Sequence, residues 1–465
     1  MRLRRTIAAL CLLCAPSCDA LFPRTAGPEN CVVNPSLCDV AQGQVCNPVS
    51  ERCETGGGCS SSAQCPSAAA AQCRSGACVP CDADTQCRVW SSDRGVSPAL
   101  NYCAKPSGAG GNTCGQCGTN QHCSSTPDQA FCDTTTQKCR GCLAHSECDS
   151  VPGASDGVCR RPNDYPAGLG TTGSCLPTSS IAYLGNNPAG CETNSLNAST
   201  VSKPYCTLAV AIASGKPVIK ALPSATPYPA IALTTPTVTL IGPGRSASPG
   251  ATFPSVDLNG SGRLTLSDVI ISASAGTAAV TCRGGGTLNL VAASVSGSVA
   301  GVDANDCSSI NIERTRISTP GRLAIQVGAT STGTYRIVNT LVVDSGAAAM
   351  MHPIRLGLNA SGVFAYNTVT RSQGSVQCLN PFVIENSILV MNGTGPVGCS
   401  AALSVTDDSV TLSSGSEPQL APTVAARNLC VDHGTQPANG EIATDYFGRP
   451  RPLGKGWDKG HHELE

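Results

Sequence analysis

A short polar–polar–apolar triplet returns along the second half of this chain at a nearly fixed interval. The triplets begin at Asp268 (DVI), Ala293 (ASV), Thr315 (TRI), Asn339 (NTL), Asn367 (NTV), Asn386 (NSI) and Asp408 (DSV), in steps of 25, 22, 24, 28, 19 and 22 residues. A period of this size marks a stacked architecture, because one unit cannot bury its apolar face alone and must lay it against the next. Between triplets, apolar residues alternate or run in short β-branched stretches bounded by Gly, Ser and Asn, so the stacked unit is strand. Thr237–Ile241 and residues 264–272, 288–296, 310–318, 335–344, 363–370 and 382–391 read as strands. Only 3% of residues are aromatic and 13% charged, a composition suited to a narrow stacked strand core. Successive rungs then lie about 4.8 Å apart and like residues pile on like. Asn339, Asn367 and Asn386 are expected to form a ladder at one bend, where asparagine tolerates a left-handed backbone; Asp268, Ala293 and Thr315 replace it on earlier rungs.

Thirty cysteines set the compartment: three lie in residues 1–18, twenty from Cys31 to Cys175, and the rest are Cys191, Cys206, Cys282, Cys307, Cys378, Cys399 and Cys430. The first eighteen residues combine Arg2, Arg4 and Arg5 with an apolar run over 7–14 and a small-residue end, the pattern of a secretory signal. Export and dense cysteine together imply an oxidising compartment. No later stretch reaches 18 consecutive apolar residues, so no transmembrane helix is expected. A formal net charge of −1 without a basic run argues against nucleic acid as a partner.

The pattern C-x2-C-x5-C occurs at Cys78/Cys81/Cys87, Cys114/Cys117/Cys123 and Cys139/Cys142/Cys148, after an opening variant at Cys31, Cys38, Cys46 and Cys53. The intervening residues are mostly Gly, Pro, Ser, Asn and Asp, too polar to offset chain entropy by burial, so cross-links must hold the segment. Behind an export signal, disulfides are expected rather than zinc, each closing a loop of ~15 residues for ~3 kcal/mol on the chain-entropy model. His122 and His145 read as solvated loop residues. Further on, Cys191 and Cys206 are placed to pin a cap over the open end of the coil, with a short helix over 207–214 and a first strand over 217–222. Cys282 and Cys307 precede their triplets by 11 and 8 residues, and Cys378 and Cys399 by 8 and 9, so each pair falls on consecutive rungs within disulfide reach. Cys430 is left over.

Four resemblances accompany these readings. Ala15-Pro16-Ser17-Cys18 resembles a bacterial lipobox, which implies lipidation at Cys18 and attachment to a membrane through that anchor alone. The spacing over 31–175 resembles the cysteine-rich modules of Dickkopf N-terminal type, which implies interaction or spacer elements. PYCTLAVAIASGKPVIKAL at 204–222 resembles the start of right-handed parallel β-helix domains of the pectin-lyase-like superfamily. The last segment, with Asp445, Gly448, Arg451, Pro452, Asp458, Gly460 and Glu463, is similar to the end of exported bacterial β-helix proteins, where it implies a cap on the final rung. The expected architecture is all-β: a right-handed parallel β-helix behind a disulfide-rich, loop-dominated region. Its division is signal 1–18, linker 19–30, cysteine modules 31–175, transition and cap 176–206, coil 207–430, and C-terminal cap 431–465.

Catalytic chemistry is weakly represented. The pectin-lyase-like resemblance implies cleavage of acidic polysaccharides by clustered carboxylates, with G-H-G and R-x-K motifs, and neither motif occurs. Asp407 and Asp408 are adjacent acids that a strand would point to opposite faces. The densest charged group of the coil is Asp303, Asp306, Glu313, Arg314 and Arg316, which Asp344, Arg355 and Arg371 extend over neighbouring rungs. These eight are the candidates for a charged or glycan-binding face. His352 reads as a loop residue, and Tyr335 and Tyr366 as two rings available for sugar stacking. The expectation is a non-catalytic surface adhesion or glycan-binding protein without a cofactor, its partner a polysaccharide or another surface protein. The alternative is a polysaccharide lyase, using calcium, or a glycoside hydrolase.

Overall fold

The computed structural model describes residues 38–462, apart from short segments that include 161–172, 329–332, 347–351, 407–409, 422–428, 436–444 and 452–455. The signal and lipobox, with Cys18, lie outside the described residues, as do Asp407 and Asp408. No described helix is long and apolar enough to cross a membrane. The chain divides into two compact units, 1–141 and 142–465, a boundary that falls inside the cysteine-rich segment.

Four modules share one disulfide pattern, first cysteine to third and second to fourth. The pairs are Cys59–Cys73 with Cys65–Cys78, Cys81–Cys103 with Cys87–Cys114, Cys117–Cys132 with Cys123–Cys139, and Cys142–Cys159 with Cys148–Cys175. In each, the third and fourth cysteines face one another across a two-stranded antiparallel hairpin, as Cys103 faces Cys114. The C-x2-C spacing is therefore a joint, carrying the last cysteine of one module and the first of the next. In the second and third modules the residue before the second cysteine closes the entry loop. Gln86 Oε1 accepts the amides of Asp82 and Ala83, and His122 Nδ1 accepts those of Gly118 and Thr119, so His122 is a structural cap. The first unit also buries Trp90 among disulfides, its indole N–H donating to the Cys65 carbonyl at 2.9 Å.

The second unit winds as a parallel β-solenoid of about seven turns. Each turn lays down three strands, and every coil strand pairs with the strand three further on, except near the ends. The first sheet stacks Ile181–Leu184, Val218–Ala221, Thr237–Ile241, Arg263–Ser267, Thr287–Val291, Ser309–Glu313, Thr334–Val338 and Ser361–Ala365. The second runs from Thr252–Phe253 through Ile270–Ser272, Ser294–Ser296, Arg316–Pro320 and Leu341–Gly346 to Thr368–Thr370. The third runs from Ile231–Leu233 through Val256–Asn259, Ala278–Arg283, Ala300–Ala304 and Leu323–Val327 to Ile354–Leu356. Val376–Val390 then traverses all three sheets in one continuous strand, and Val397–Val405 lies against it as the last in the order.

Apart from 382–391, which falls largely within that continuous strand, each long strand read from the sequence is thus two strands on different sheets, broken by a two-residue bend. One bend residue is left-handed: Asp268 (φ 57°), Ala292 (50°), Arg314 (49°), Asn339 (49°), Tyr366 (56°) and Asn386 (46°) on successive rungs. This corrects the asparagine ladder. Asn339 and Asn386 share the left-handed file, whereas Asn367, like Ala293 and Thr315, sits one place later, in a fully buried file. That inner file is the polar ladder: Thr340 N–H donates to Asn367 Oδ1 (2.9 Å), Asn367 N–H to Ser387 Oγ (3.1 Å) and Ser387 N–H to Ser404 Oγ (3.1 Å). Bend amides that no sheet satisfies are capped by side chains one rung away. A second ladder, Thr319 to Ser345 to Ser372 to Asn392, does the same at the bend after the second sheet.

The coil opens at Ile181, ahead of the helix, so the strand read as first is second in the stack. The helix Leu208–Ala213, with Thr207 Oγ1 accepting from the Val210 amide, packs Ala211 into the core and covers that end. Tyr205 adds a bridge to Leu184, and Cys191–Cys206 pins the segment. Cys282–Cys307 and Cys378–Cys399 cross-link consecutive rungs, while Cys430 is a buried free thiol.

The C-terminal segment starts on the last rungs, where Cys430 and Val431 pack with Val390 and Val405, and then runs back along the side of the coil. The Gly460 amide donates to the Asn386 carbonyl (2.7 Å), and His461 Nδ1 lies 2.7 Å from Thr368 Oγ1. Arg451 donates to Asn339 Oδ1 (3.1 Å) and to the carbonyls of Gly460 (2.7 Å) and Asp458 (3.0 Å), its guanidinium 4.6 Å from the Tyr366 ring centroid. Tyr446 packs on Leu341 and Val343, with the Arg245 guanidinium 3.7 Å from its ring centroid. The segment is a strap across several rungs. Gly460 (φ 90°) has no alternative there, since a Cβ would lie 2.6 Å from Ile388 Cδ1. Gly448, Pro452 and Glu463 of the same motif lie outside the described residues.

Candidate functional site

An outward position on a solenoid repeats once per rung, so a face that meets a ligand is a file of side chains. On the third sheet, pairing aligns Asp257, Thr281, Asp303, Gln326, Arg355 and Gln377 in one file. All six are exposed or half-buried, while the residues between them, such as Leu258, Cys282 and Ala304, point into the core. Neighbouring polar groups order the file. Arg283 reaches Asp303 Oδ2 at 3.2 Å, Asn305 Nδ2 donates to Asp303 Oδ1 at 2.5 Å, and Gln326 Nε2 donates to Asn305 Oδ1 at 2.9 Å. Asp303 is therefore held by a partner on each side. At the far end Arg355 stands beside His352, whose imidazole is pushed below its ordinary value by burial and then by the Arg355 charge. His352 is buried and uncharged near neutral pH.

The eight charged candidates do not converge. Asp303 and Arg355 share the third-sheet file, two rungs apart. Asp306 is exposed on the turn leaving that sheet, where its carbonyl accepts the Gly285 amide. Glu313 is fully buried at the end of a first-sheet strand, between Arg336 (3.1 Å) and Arg314 (3.5 Å). Arg314 occupies the left-handed bend, and Arg316 opens the next second-sheet strand. Asp344 and Arg371 pair at 2.9 Å at the bend after the second sheet. Sequence proximity misled because twenty residues of coil turn through all three faces, so a charge cluster along the chain is dispersed around the axis. Tyr335 is buried, 5.6 Å from Phe382, and Tyr366 is buried under Arg451, so neither ring is presented for stacking.

One constellation imitates a catalytic triad. His145 Nε2 lies 3.4 Å from Ser267 Oγ and 3.5 Å from Asp268 Oδ2, and Ser267 donates to Asp268 at 2.7 Å. Its chemistry is wrong for nucleophilic attack. His145 Nδ1 accepts the Cys159 amide at 3.0 Å, so the ring proton sits on Nε2, which must donate and cannot take a proton from serine. The serine donates to the acid instead of the imidazole. His145 is a structural tie of the fourth cysteine module to the coil, together with Val158, which packs on Ile181, Tyr183, Val218 and Ile241.

Sequence reading missed Asp257, Thr281, Gln326 and Gln377 on the third-sheet file. The signal was available: their spacing repeats the triplet period, offset from it, and polar residues at that period on a strand point away from the core. In comparisons with known proteins, no family model, no curated protein and no solved structure matches this chain.

Proposed function

We propose that the chain is an exported, non-catalytic binding protein whose third-sheet outer face takes a linear polysaccharide, with the cysteine modules as spacers. The observation that carries this reading is the in-register polar file from Asp257 to Gln377, six rungs long and about 24 Å at the ~4.8 Å strand spacing. Repeated hydroxyl, amide and ionic groups at a constant interval suit a polymer that repeats its own hydroxyls. Catalysis by acid and base needs titratable groups aimed at one bond. Four of the described carboxylates here are instead tied to cations: Asp303 to Arg283, Glu313 to Arg336, Asp344 to Arg371 and Glu417 to Arg245. Twelve disulfides among the described residues support an oxidising, extracellular setting for such a protein. A bacterial source, a pectin-lyase-like kinship and a lipid anchor at Cys18 complete the proposal.

The test is a binding screen of the full chain against neutral and acidic polysaccharides, with and without calcium, following both retention and the appearance of new chain ends. Gln326→Ala and Arg355→Ala are expected to weaken retention at least tenfold without changing the melting temperature appreciably. Unaltered retention in both variants moves the site off this face. Released fragments with unsaturated or reducing ends replace the binder with a lyase or a hydrolase.

A further inference from the structure

Three arginines of the coil each hold a carboxylate: Arg283 reaches Asp303, Arg336 reaches Glu313 and Arg371 reaches Asp344. Arg355 differs. Among the described residues it makes no hydrogen bond and no ion pair, and its Nε is buried without a partner. A partly desolvated guanidinium left this way loses water contacts that nothing in the chain replaces. Strand pairing puts Gln326 and Gln377 on either side of it, one rung away each. Both are neutral amides, and Gln377 makes no side-chain hydrogen bond among the described residues. His352, the titratable group beside it, can add only positive charge. The nearest carboxylate of the file, Asp303, lies two rungs back and is already engaged by Arg283 and Asn305.

We propose that Arg355 is an anion subsite of the third-sheet face, taking a carboxylate or sulfate group of a polysaccharide whose charged sugars stand isolated among neutral ones. The inference rests on the face proposed above and specifies what occupies it. The planar fork of arginine bonds an oxyanion through two parallel N–H groups, and the two glutamines supply neutral donors on the adjoining rungs. Isolation of the charge follows from the rest of the sheet. From Ile231 to Leu356 the third-sheet strands carry four charged side chains, Asp257, Arg283, Asp303 and Arg355, and Arg283 and Asp303 neutralise one another. Asp257 is exposed, four rungs and about 19 Å from Arg355, beyond the ~8 Å screening length of physiological salt, so it does not satisfy the arginine. A polymer charged on every sugar brings anions against Asp257 and Asp303. One with sparse charge seats a single anion at Arg355 and lays neutral hydroxyls along the remaining rungs.

The experiment has two arms, both on the full chain, with melting temperatures verifying that each variant is folded. In the first, methyl glucuronide, glucose 6-sulfate and methyl glucoside are titrated while NMR follows the Nε–H resonance of Arg355, identified by its loss in Arg355→Gln. The carboxylated or the sulfated sugar is expected to shift it and the neutral sugar to leave it in place; which anion acts assigns the group. In the second, retention is measured at ~0.15 M salt in gels holding dextran, dextran carrying a carboxymethyl or a sulfate on about one sugar in ten, or dextran so substituted on every sugar. Sparse substitution is expected to be retained above both neutral and full substitution, at least tenfold above neutral. That preference is lost in Arg355→Gln and partly restored in Arg355→Lys. Gln326→Ala weakens retention of every dextran and keeps the preference, so it reports on the face and not on the subsite. No shift with either anionic sugar overturns the subsite, as does a preference that survives Arg355→Gln or that grows up to full substitution. A shift at Arg355 without retention of any dextran upholds the subsite and counts against the polysaccharide face.

Discussion

Arg451→Ala tests whether the strap is a structural clasp. The side chain is buried, and its guanidinium makes three described hydrogen bonds, two to strap carbonyls and one to Asn339 Oδ1, while stacking over Tyr366. Hydrogen bonds to a charged group contribute about 1.5–3 kcal/mol each, and a desolvated cation over an aromatic ring about 2 kcal/mol. These do not add, because one group makes them all. Deleting one partner of a buried polar network typically costs about 3–5 kcal/mol. Taking ~4 kcal/mol, at 1.4 kcal/mol per decade, strap opening becomes roughly a thousandfold more frequent. The loss is local, since the rungs beneath keep their own ladders, so hydrogen exchange resolves it better than global unfolding. The amides of Gly460 and Tyr446, bonded to the Asn386 and His461 carbonyls, are expected to lose about three orders of magnitude of protection. Those of Thr287–Val291, inside the coil, are expected to change little. Arg451→Lys keeps the charge without the planar fork and is expected to recover less than a tenth of the lost protection. A loss below tenfold at the strap, or an equal loss in the central rungs, refutes the clasp.

Four further outcomes are expected. Asn367→Ala, which orphans the Thr340 amide and removes a side-chain donor from the Ile337 carbonyl in a fully buried site, destabilises the coil by about 3 kcal/mol in urea titration, whereas Asn259→Ala on the exposed rim changes it by less than about 0.5 kcal/mol. Under graded reduction with mass mapping, Cys378–Cys399 opens before Cys282–Cys307, because Cys399 is part-exposed on the last rung while Cys282 and Cys307 are 0% and 2% exposed. Burial pushes the Cys430 thiol up to about 12, so a maleimide at pH 8 leaves it unmodified in the native chain and labels it once the coil is unfolded; rapid native labelling contradicts its placement. Hydrogen bonding from Lys203, then from the Asn194 amide, lowers Glu192 to about 2. Its contribution is full above the ordinary value of 4.5 and is lost as pH falls from there towards 2; Glu192→Gln therefore flattens the acid limb of cap stability measured by hydrogen exchange.

The part of this architecture legible in the sequence is the part governed by repetition. A recurrent bend residue every turn, small β-branched strands and the near absence of aromatics point to a stacked coil, since each turn can bury its apolar face only against the next. The cysteine spacing likewise announces disulfide modules. Bend register was legible only to within one residue: Asn339 and Asn367 head equivalent triplets, yet one is the left-handed residue and the other the buried cap, because both positions reward a short side chain that bonds to backbone. The C-x2-C motif was visible and its meaning inverted, since pairing depends on which hairpin brings sulfurs together.

The third sheet was the element least visible, and it carries the candidate face. Its strands are interrupted by Gly and Asp and lie between the conspicuous triplets, so only the closing of each turn reveals that Asp257, Thr281, Asp303, Gln326, Arg355 and Gln377 share a surface. Period and composition are local properties, and local properties determined the coil. Which face a charge occupies, whether a histidine is a base or a tie, and where the C-terminal strap lies depend on how each turn advances about the axis. That is decided by packing between residues twenty or more places apart, which only the folded chain brings together.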